Sequence, residues 1–161
     1  MAYSIRKAHL DELTDIFMMA YDEWSEGKTP EEYLNSCYQS PKYRQGQWWV
    51  LDSSDGILCS AIIYNIKDST WGLGSLATPP CHRKKGYASR LVSQLCCKLE
   101  KFSETTAIFL FSDINPQFYK KQHFTILPEQ FQNYKSSICM VRSRNPEAIW
   151  SDSHFTSLEY F

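Results

Sequence analysis

Three consecutive basic residues, Arg83 to Lys85, stand directly before Gly86, at the point where helical periodicity begins. The first turn of a helix has backbone N–H groups without an internal partner, and the helix dipole adds about half a positive charge there. Because Gly86 and Ala88 carry little side chain, a bulky anion can reach these N–H groups. The stretch therefore predicts a seat for a phosphate or pyrophosphate. The alternative interpretation is a basic, solvated helix N-terminus after an ordinary turn.

A strand and a helix must hold this turn in place. Residues 71–78 are short, mostly apolar and punctuated by glycine, which is typical of a strand that a ligand or another backbone approaches closely. Pro79 and Pro80 end that strand, because proline cannot donate to a sheet ladder. After the turn, apolar residues recur at the spacing of one buried helix face, namely Ala88, Leu91, Val92, Leu95, Cys96 and Leu99.

The spacing excludes two familiar phosphate-binding loops. The chain has no Gly-x-x-x-x-Gly-Lys sequence of the P-loop type, and the turn lacks the three glycines of a dinucleotide fingerprint. It instead resembles the acetyl-CoA signature of the GNAT superfamily of N-acetyltransferases, Gln/Arg-x-x-Gly-x-Gly/Ala after a strand that ends in proline. Arg83, Gly86 and Ala88 fill the three defined positions of that signature.

The resemblance implies how the co-substrate acetyl-CoA binds. The turn would hold the pyrophosphate, and its residues are Arg83, Lys84, Lys85, Gly86, Tyr87 and Ala88. The preceding strand would offer backbone groups to the pantetheine amides, as an added strand pairs with a sheet edge, through Leu76, Ala77 and Thr78. No metal site is expected, because the six cysteines form no Cys-x-x-Cys pair and no His spacing suits zinc.

A second segment, from Asn115 to Phe124, follows the apolar run 107–111, which has the character of a strand buried on both faces. The segment resembles the part of a GNAT protein in which an Asn begins a short helix and a Tyr precedes a closing Gly-Phe pair. Asn115 and Tyr119 match that pattern, whereas His123 stands where the family usually has glycine. The closing turn needs a left-handed backbone, which costs His more than glycine.

The resemblance implies that Tyr119 is the catalytic acid, which protonates the leaving thiolate of coenzyme A. It also implies that Asn115 binds the pantetheine or orients the helix. The residues alone leave simpler alternatives open, since Tyr119 can pack beside Phe118 and Phe124, and Asn115 can be a plain helix N-cap.

The acceptor side has no comparable motif. Attack on a thioester needs a neutral amine, and an amine with a pKa of about 10.4 is almost fully protonated at pH 7. The candidates for a general base are Asp113, Asp22, Glu23 and Glu26, and each of them can equally be a solvated or capping carboxylate. Five aromatic residues can line an acceptor cleft or belong to the core, namely Tyr21, Trp24, Tyr33, Tyr64 and Trp71.

Composition narrows the class of protein. The 161 residues are 43% hydrophobic and 15% aromatic, which argues against a disordered chain and allows a substantial core. The net charge of -1 argues against broad nucleic-acid binding. No apolar run approaches the roughly 20 residues of a membrane span, and the N-terminus lacks the apolar core of a signal peptide. We therefore expect a cytoplasmic protein with reduced thiols.

The turn signals and apolar periodicities give the order β-α-α-β-β-β-α-β-α-β-β, which is a mixed α/β layout. One helix is predicted with its apolar positions over 10–24 and its end at Gly27, and a second runs from Pro30 to about Ser40, with a break at Ser40–Pro41. The order matches the GNAT fold. The resemblance therefore implies a central, mostly antiparallel sheet that is flanked by helices.

The resemblance covers roughly residues 3–142. We expect a single N-acetyltransferase domain over 1–161, with residues 145–161 packed on it as a C-terminal extension. The leading hypothesis is an N-acetyltransferase that transfers an acetyl group from acetyl-CoA to a primary amine in a ternary complex. One alternative is a non-catalytic acyl-CoA-binding or regulatory module on the same fold, and another is a phosphate-binding domain unrelated to coenzyme A. The identity of the acceptor and the formation of a homodimer stay open.

Overall fold

The computed structural model describes residues 2–102 and 104–161, which contain seven strands and seven α-helices. The strands are β1 (Ser4–Lys7), β2 (Gln47–Ser53), β3 (Gly56–Lys67), β4 (Thr70–Ala77), β5 (Ala107–Ser112), β6 (Thr125–Ile126) and β7 (Ile138–Arg142). The helices are α1 (Leu13–Met18), α2 (Tyr21–Trp24), α3 (Pro30–Gln39), α4 (Pro41–Gln45), α5 (Tyr87–Phe102), α6 (Gln117–Lys120) and α7 (Pro146–Trp150). Short 3₁₀ turns occupy Leu10–Glu12, Pro80–His82 and Glu129–Phe131.

The strands form one open sheet in the order β1-β2-β3-β4-β5-β7-β6. Strand β2 is antiparallel to β1 and to β3, and β7 is antiparallel to β5 and to β6. Strands β4 and β5 are parallel, so a crossover that contains α5 connects them. The predicted mixed α/β fold with a mostly antiparallel sheet is confirmed.

The chain divides into two compact units, and the first comprises residues up to 64 and residues 75–95. Its core joins side chains from α1, α3, β2 and the end of β4, namely Ile16, Phe17, Met19, Ala20, Tyr33, Cys37, Val50 and Ala77. The ring of Phe17 lies 5.5 Å from that of Tyr43 and 5.6 Å from that of Trp48. The turn with the acetyl-CoA signature belongs to this unit.

The second unit comprises residues 65–74 and 96–161. Its core consists of Ala107, Phe109, Leu127, Cys139 and Val141. Strand β5 is almost entirely buried, as its continuous apolar run predicts. The C-terminal segment packs against this core through Phe155, Leu158 and Phe161.

The prediction of one helix over 10–24 is wrong. The segment contains a 3₁₀ turn followed by α1 and α2, which are separated at Ala20, where φ is -117°. In a continuous helix the Glu23 N–H would bond to the Met19 carbonyl. It bonds instead to the Ala20 carbonyl at 3.0 Å, and the guanidinium of Arg83 donates to the Met19 carbonyl at 3.3 Å. A contact that is distant in sequence therefore replaces the local helical bond.

The predicted break of the second helix at Ser40–Pro41 is confirmed, because α3 ends at Gln39 with Ser40 as its C-cap. Ser40 ends α3, but it also caps α4, because its hydroxyl accepts the Tyr43 N–H at 3.4 Å and proline fits the first helical position. The predicted capping box of α3 is confirmed. Thr29 Oγ1 accepts the Glu32 N–H at 3.3 Å, and the Glu32 carboxylate accepts the Thr29 N–H at 2.9 Å.

No helix in the described part of the chain is both long enough and apolar enough to cross a membrane. Among residues 2–102 and 104–161, no group of three or more His, Cys, Asp or Glu side chains could hold a metal ion. All six cysteines are free thiols, and four of them are buried, namely Cys37, Cys59, Cys96 and Cys139.

Candidate functional site

The segment between β4 and α5 forms a turn with two residues in the left-handed region. Lys84 has φ +62° and Gly86 has φ +80°. Within the described residues, the amide N–H groups of residues 84–89 donate to no protein acceptor, and the first helical bond runs from the Arg90 N–H to the Gly86 carbonyl at 3.1 Å. Six successive amides are therefore available to a ligand in front of α5. Successive free amides in such a turn are a typical anion-binding arrangement.

Open space and positive charge surround these amides. A Cβ atom at Gly86 would meet no atom within 4 Å, so glycine is required there by the backbone conformation and not by a crowded neighbour. Lys84 and Lys85 are both exposed. The Lys85 ammonium donates to the Cys81 carbonyl at 3.0 Å, whereas the Lys84 side chain forms no ion pair with any described residue. The turn can therefore attract and bind phosphate oxygens.

The side chain of Arg83 points to protein partners. Its guanidinium donates two hydrogen bonds of 2.7 Å to the Asp22 carboxylate, lies 3.2 Å from a Glu23 oxygen, and donates to the Thr78 carbonyl at 2.9 Å. With its bond to the Met19 carbonyl, it ties the turn to the end of β4 and to the junction of α1 and α2. The acidic neighbours offset much of its charge, so the amides and two lysines supply the positive potential of the turn.

The remaining residues of the predicted donor site also lie around the turn. Leu76, Ala77 and Thr78 form the end of β4 and the first residue after it, and Ala77 is buried in the core of the first unit. The strand is distorted just before them, because Ser75 has φ +43°. Tyr87 starts α5 with its ring 5.7 Å from that of Tyr3, and Arg90 lies 4.8 Å over the Tyr3 ring. The backbone amides of Tyr87 and Ala88 are among the six that are free.

Tyr119 lies on α6 in the second unit and is 7% exposed. Its ring packs against Phe118 at 4.9 Å and Phe124 at 5.9 Å, so the packing role that the sequence left open is present. Its hydroxyl makes no hydrogen bond with any described residue, and the oxygen is not fully buried. Burial raises the pKa of Tyr119 above the usual value of a phenol, and Asp113 and Tyr160 raise it further. The side chain is therefore a protonated hydroxyl that is free to donate.

Asn115 and His123 frame α6. The Asn115 side-chain oxygen accepts the Gln117 N–H at 3.0 Å, which is a local turn contact of the kind that a capping Asn makes. His123 has φ +64°, so it adopts the left-handed conformation that the pattern requires. The Phe124 N–H then bonds back to the Tyr119 carbonyl at 3.1 Å. The turn thus keeps its geometry without a glycine.

The candidate bases in the first unit are constrained by Arg83. Its hydrogen bonds hold the pKa of the Asp22 carboxyl below its ordinary value, which makes Asp22 a weaker base. Glu23 lies 3.2 Å from the same guanidinium. Glu26 lies after α2 in a left-handed conformation with φ +49°. Arg83 therefore engages two of these three carboxylates, Asp22 and Glu23.

Asp113 follows β5 in the second unit. One of its carboxylate oxygens accepts a short hydrogen bond from the Ser137 hydroxyl, and the other accepts the Tyr160 hydroxyl at 3.1 Å. Sequence reasoning did not connect Asp113 to Ser137 or Tyr160, which are 24 and 47 residues away. No pattern of residues near Asp113 in the sequence indicates these contacts. The same holds for Arg83 and Asp22, which are 61 residues apart.

The aromatic candidates for an acceptor cleft separate into core and surface. Tyr33 is 6% exposed, and the ring of Tyr21 packs on it at 5.3 Å, so both contribute to the core of the first unit. Tyr64 and Trp71 are half-buried. Trp24 is 40% exposed, which leaves it as the candidate with the most accessible ring.

A groove of about 1040 Å³ lies in the second unit, and none of the residues that the sequence predicted for binding or catalysis lines it. Its walls come from the β3–β4 turn, the end of α5, the segment after β7 and the C-terminal segment. Arg142 in its wall is paired with Glu100 at 2.6 Å. The groove is lined by both acidic and basic side chains, and these side chains do not indicate one kind of ligand.

Solved structures share the fold of this chain. N-acetylglutamate synthase from Neisseria gonorrhoeae, complexed with coenzyme A and N-acetyl-glutamate, matches with a TM-score of 0.63 and 16% identity over 90% of this chain and 36% of that one. PaiA N-acetyltransferase from Thermoplasma acidophilum, in complex with coenzyme A, matches with a TM-score of 0.69 and 14% identity, and the match covers 89% of this chain and 99% of that one. The ribosomal-protein-S18-alanine N-acetyltransferase from Escherichia coli matches with a TM-score of 0.65 and 14% identity, and the match covers 88% of this chain and 94% of that one. This chain thus spans about a third of the synthase and nearly all of the other two.

Sequence comparison adds the family to the fold. No curated protein matches this chain by sequence. The family model described as "Acetyltransferase (GNAT) domain" matches residues 44–126, just over half of the chain. That range includes β4, the turn with its six free amides, and Tyr119. The chain belongs to the GNAT family of acetyltransferases.

Proposed function

We propose that this protein transfers an acetyl group from acetyl-CoA to a primary amine by direct attack in a ternary complex. The observation that carries the proposal is the run of free amides over residues 84–89, in a turn that has the family signature. Coenzyme A is present in two of the solved structures with the same fold, and its pyrophosphate is the kind of anion that such a turn binds.

On the donor side, we assign the pyrophosphate to the amides of Lys84, Lys85, Gly86, Tyr87 and Ala88. The ammonium groups of the two lysines supply charge. Arg83 acts through its contacts with Asp22 and the backbone, which keep the turn in position. Leu76, Ala77 and Thr78 are assigned to the pantetheine arm, and Asn115 stays a prediction for the same arm. These assignments rest on the family signature and on the open turn.

Tyr119 is assigned as the proton donor for the leaving group. The neutral amine nitrogen attacks the thioester carbonyl, a C–N bond forms, and the C–S bond then breaks. The sulfur takes the Tyr119 proton and leaves as the thiol, while the new amide nitrogen loses one proton to water or to a carboxylate. Burial keeps the Tyr119 hydroxyl protonated until a thiolate appears. The ordinary pKa values of a phenol and a thiol differ by about 1.5, so the transfer costs about 2 kcal/mol in water, and burial of the sulfur would raise its proton affinity as well.

Thiol release from acetyl-CoA tests this proposal. The amine panel contains a lysine peptide, a peptide with a free N-terminal alanine, spermidine and an aminoglycoside. We expect wild type to release thiol faster when one of these amines is present. Tyr119→Phe should lower kcat by roughly 10²–10⁴ while the Kd for coenzyme A stays within about twofold. The fold should tolerate this variant, because the ring packing is kept and the hydroxyl makes no hydrogen bond with any described residue.

Two results would contradict the proposal. Wild-type protein that does not bind coenzyme A would remove its basis. Protein that binds coenzyme A but acetylates none of these amines would favour the non-catalytic acyl-CoA-binding module. A cytoplasmic location and the lack of nucleic-acid and membrane partners stay predictions from the sequence, and the formation of a homodimer stays open.

A further inference from the structure

The C-terminal segment lies outside the range that the family model matches, and it brings side chains to the end of β5. Phe155 stacks on Phe109 with ring centroids 6.1 Å apart. The ring of Phe161 fills the space beside Gly72, where a Cβ atom would lie 2.6 Å from it, and it also contacts Phe111 at 5.3 Å. These two anchors hold the segment between them, and Tyr160 in that segment reaches Asp113.

Two exposed rings, Tyr134 and Tyr160, pack together here, and Ile114 directly follows Asp113 in the chain. Ile114 is 54% exposed, Tyr160 is 42% exposed and Tyr134 is 38% exposed, and only six large apolar side chains of the described residues are exposed to this degree. The rings of Tyr134 and Tyr160 lie 5.9 Å apart at 72°, and the Tyr134 hydroxyl accepts the Tyr160 N–H at 3.0 Å. The patch is therefore ordered, although its surface is open to solvent.

The carboxylate of Asp113, which accepts the Tyr160 hydroxyl, has no cationic partner among the described residues. Asp113 accepts hydrogen bonds from the hydroxyls of Ser137 and Tyr160, which fix its orientation. Among the described residues it forms no ion pair with Lys, Arg or His. A carboxylate offers about four lone-pair sites, so it can accept further donors beside these two hydroxyls. Aromatic rings next to a carboxylate favour organic cations.

The patch also lies within electrostatic reach of Tyr119. The negative charge of Asp113 and the hydroxyl of Tyr160 both contribute to the raised pKa of Tyr119.

We propose that Asp113, flanked by the rings of Tyr134 and Tyr160, binds an ammonium group of the acceptor, and that Ile114 contacts the apolar stem that carries this group. The acceptor class is then a cationic amine with an apolar or aromatic stem. This inference rests on the proposed function, because it names the acceptor of the same reaction. Tyr134 and Tyr160 become specificity-determining residues that the family signature does not supply.

Amide chemical shifts measured by NMR on the full chain test the inference. The probe is phenethylammonium, and 2-phenylethanol is its neutral counterpart of nearly equal size. We expect saturable shifts at the amides of Asp113, Ile114 and Tyr160 with the ammonium, and at least tenfold weaker binding of the alcohol. Asp113→Asn should weaken binding of the ammonium at least fivefold. The matched control is Glu129→Gln, because Glu129 is an exposed acid of the same unit and lies outside the patch.

Other results would overturn the inference. Equal binding of the two probes, shifts confined to other residues, or unchanged affinity in Asp113→Asn would each do so. Should Asp113→Asn fail to fold, Tyr134→Leu provides a second test, since loss of one ring should weaken ammonium binding about threefold. A coenzyme A titration of the same sample, followed at residues 84–89, reports separately on the proposed function. Binding of coenzyme A without binding of the ammonium would reject the acceptor site alone.

Discussion

The substitution Gly86→Ala tests whether the left-handed backbone at Gly86 is needed for the turn of residues 83–88, the phosphate turn, to bind coenzyme A. Gly86 has φ +80°, and a Cβ atom there would meet nothing within 4 Å. The substitution therefore adds no steric clash, and its cost is that of holding alanine in the left-handed region, about 1–2 kcal/mol. Gly27 offers a matched control, because it also has φ +80° and an empty surrounding, and it lies in the same unit after α2.

The two alanine variants should differ in how the penalty appears: Gly27→Ala should lose stability and keep its affinity, whereas Gly86→Ala should lose less stability and more affinity. A loss of about 1–2 kcal/mol lowers Tm by roughly 2–8 °C in a chain of this length. At Gly86 the turn can relax to negative φ, where alanine has no conformational penalty. Because the relaxed turn is then favoured by about 1–2 kcal/mol, the conformation that directs the free amides to a ligand is populated roughly 5- to 30-fold less. The apparent Kd for coenzyme A rises by the same factor. Gly27→Ala should leave that Kd unchanged.

Isothermal titration of coenzyme A and thermal denaturation, both at pH 7, provide the assay. Gly86→Asn should give an intermediate Kd, because Asn tolerates the left-handed region better than alanine does. Equal Kd values for Gly86→Ala, Gly27→Ala and wild type, with equal losses of Tm, would refute the role of this turn. So would an equal loss of affinity in both alanine variants.

Three further predictions concern stability. His123→Gly removes a left-handed penalty of about 1–2 kcal/mol but adds a chain-entropy cost of about 0.5–1 kcal/mol. Calorimetry should therefore show a net gain in the free energy of unfolding of up to about 1.5 kcal/mol, and a loss would contradict this. Gly72→Ala forces the Phe161 ring from its place and should cost about 1–3 kcal/mol, yet it should cost much less in a Phe161→Ala background, and additive losses would contradict the contact. The hydrogen bonds from Arg83 lower the pKa of Asp22. The ion pair therefore contributes fully to the free energy of unfolding above the ordinary pKa of 3.8, and this contribution is lost as pH falls through the lowered pKa. The difference in urea midpoint between wild type and Asp22→Asn should therefore vanish at low pH, and a constant difference would count against the pair.

Local signals in the sequence predicted much of this molecule. The capping box at Thr29 and Glu32, the apolar run of β5 and the glycine-opened turn before α5 each depend on residues within a few positions of one another. Such features can be predicted because backbone sterics and capping act over one or two turns. The family pattern needs a left-handed residue at position 123, but the His that replaces glycine there left the geometry of this turn open until the structure showed it.

Contacts between distant segments limited the rest. The helix predicted over 10–24 is interrupted where Arg83 takes the Met19 carbonyl, and no periodicity in the segment signals this. The sequence likewise gave Arg83 only as part of the phosphate turn, whereas its guanidinium is bound to Asp22. The pairing of Tyr160 with Asp113 depends on how the C-terminal segment packs, which is a tertiary property.

A crystal structure with coenzyme A bound tests the central claim most directly. The measured quantity is the distance from each pyrophosphate oxygen to the amide nitrogens of residues 84–89. We predict that several of these distances lie at about 2.7–3.2 Å, the range of an N–H···O hydrogen bond. A pyrophosphate bound elsewhere on the protein, with these amides facing only water, would contradict the account.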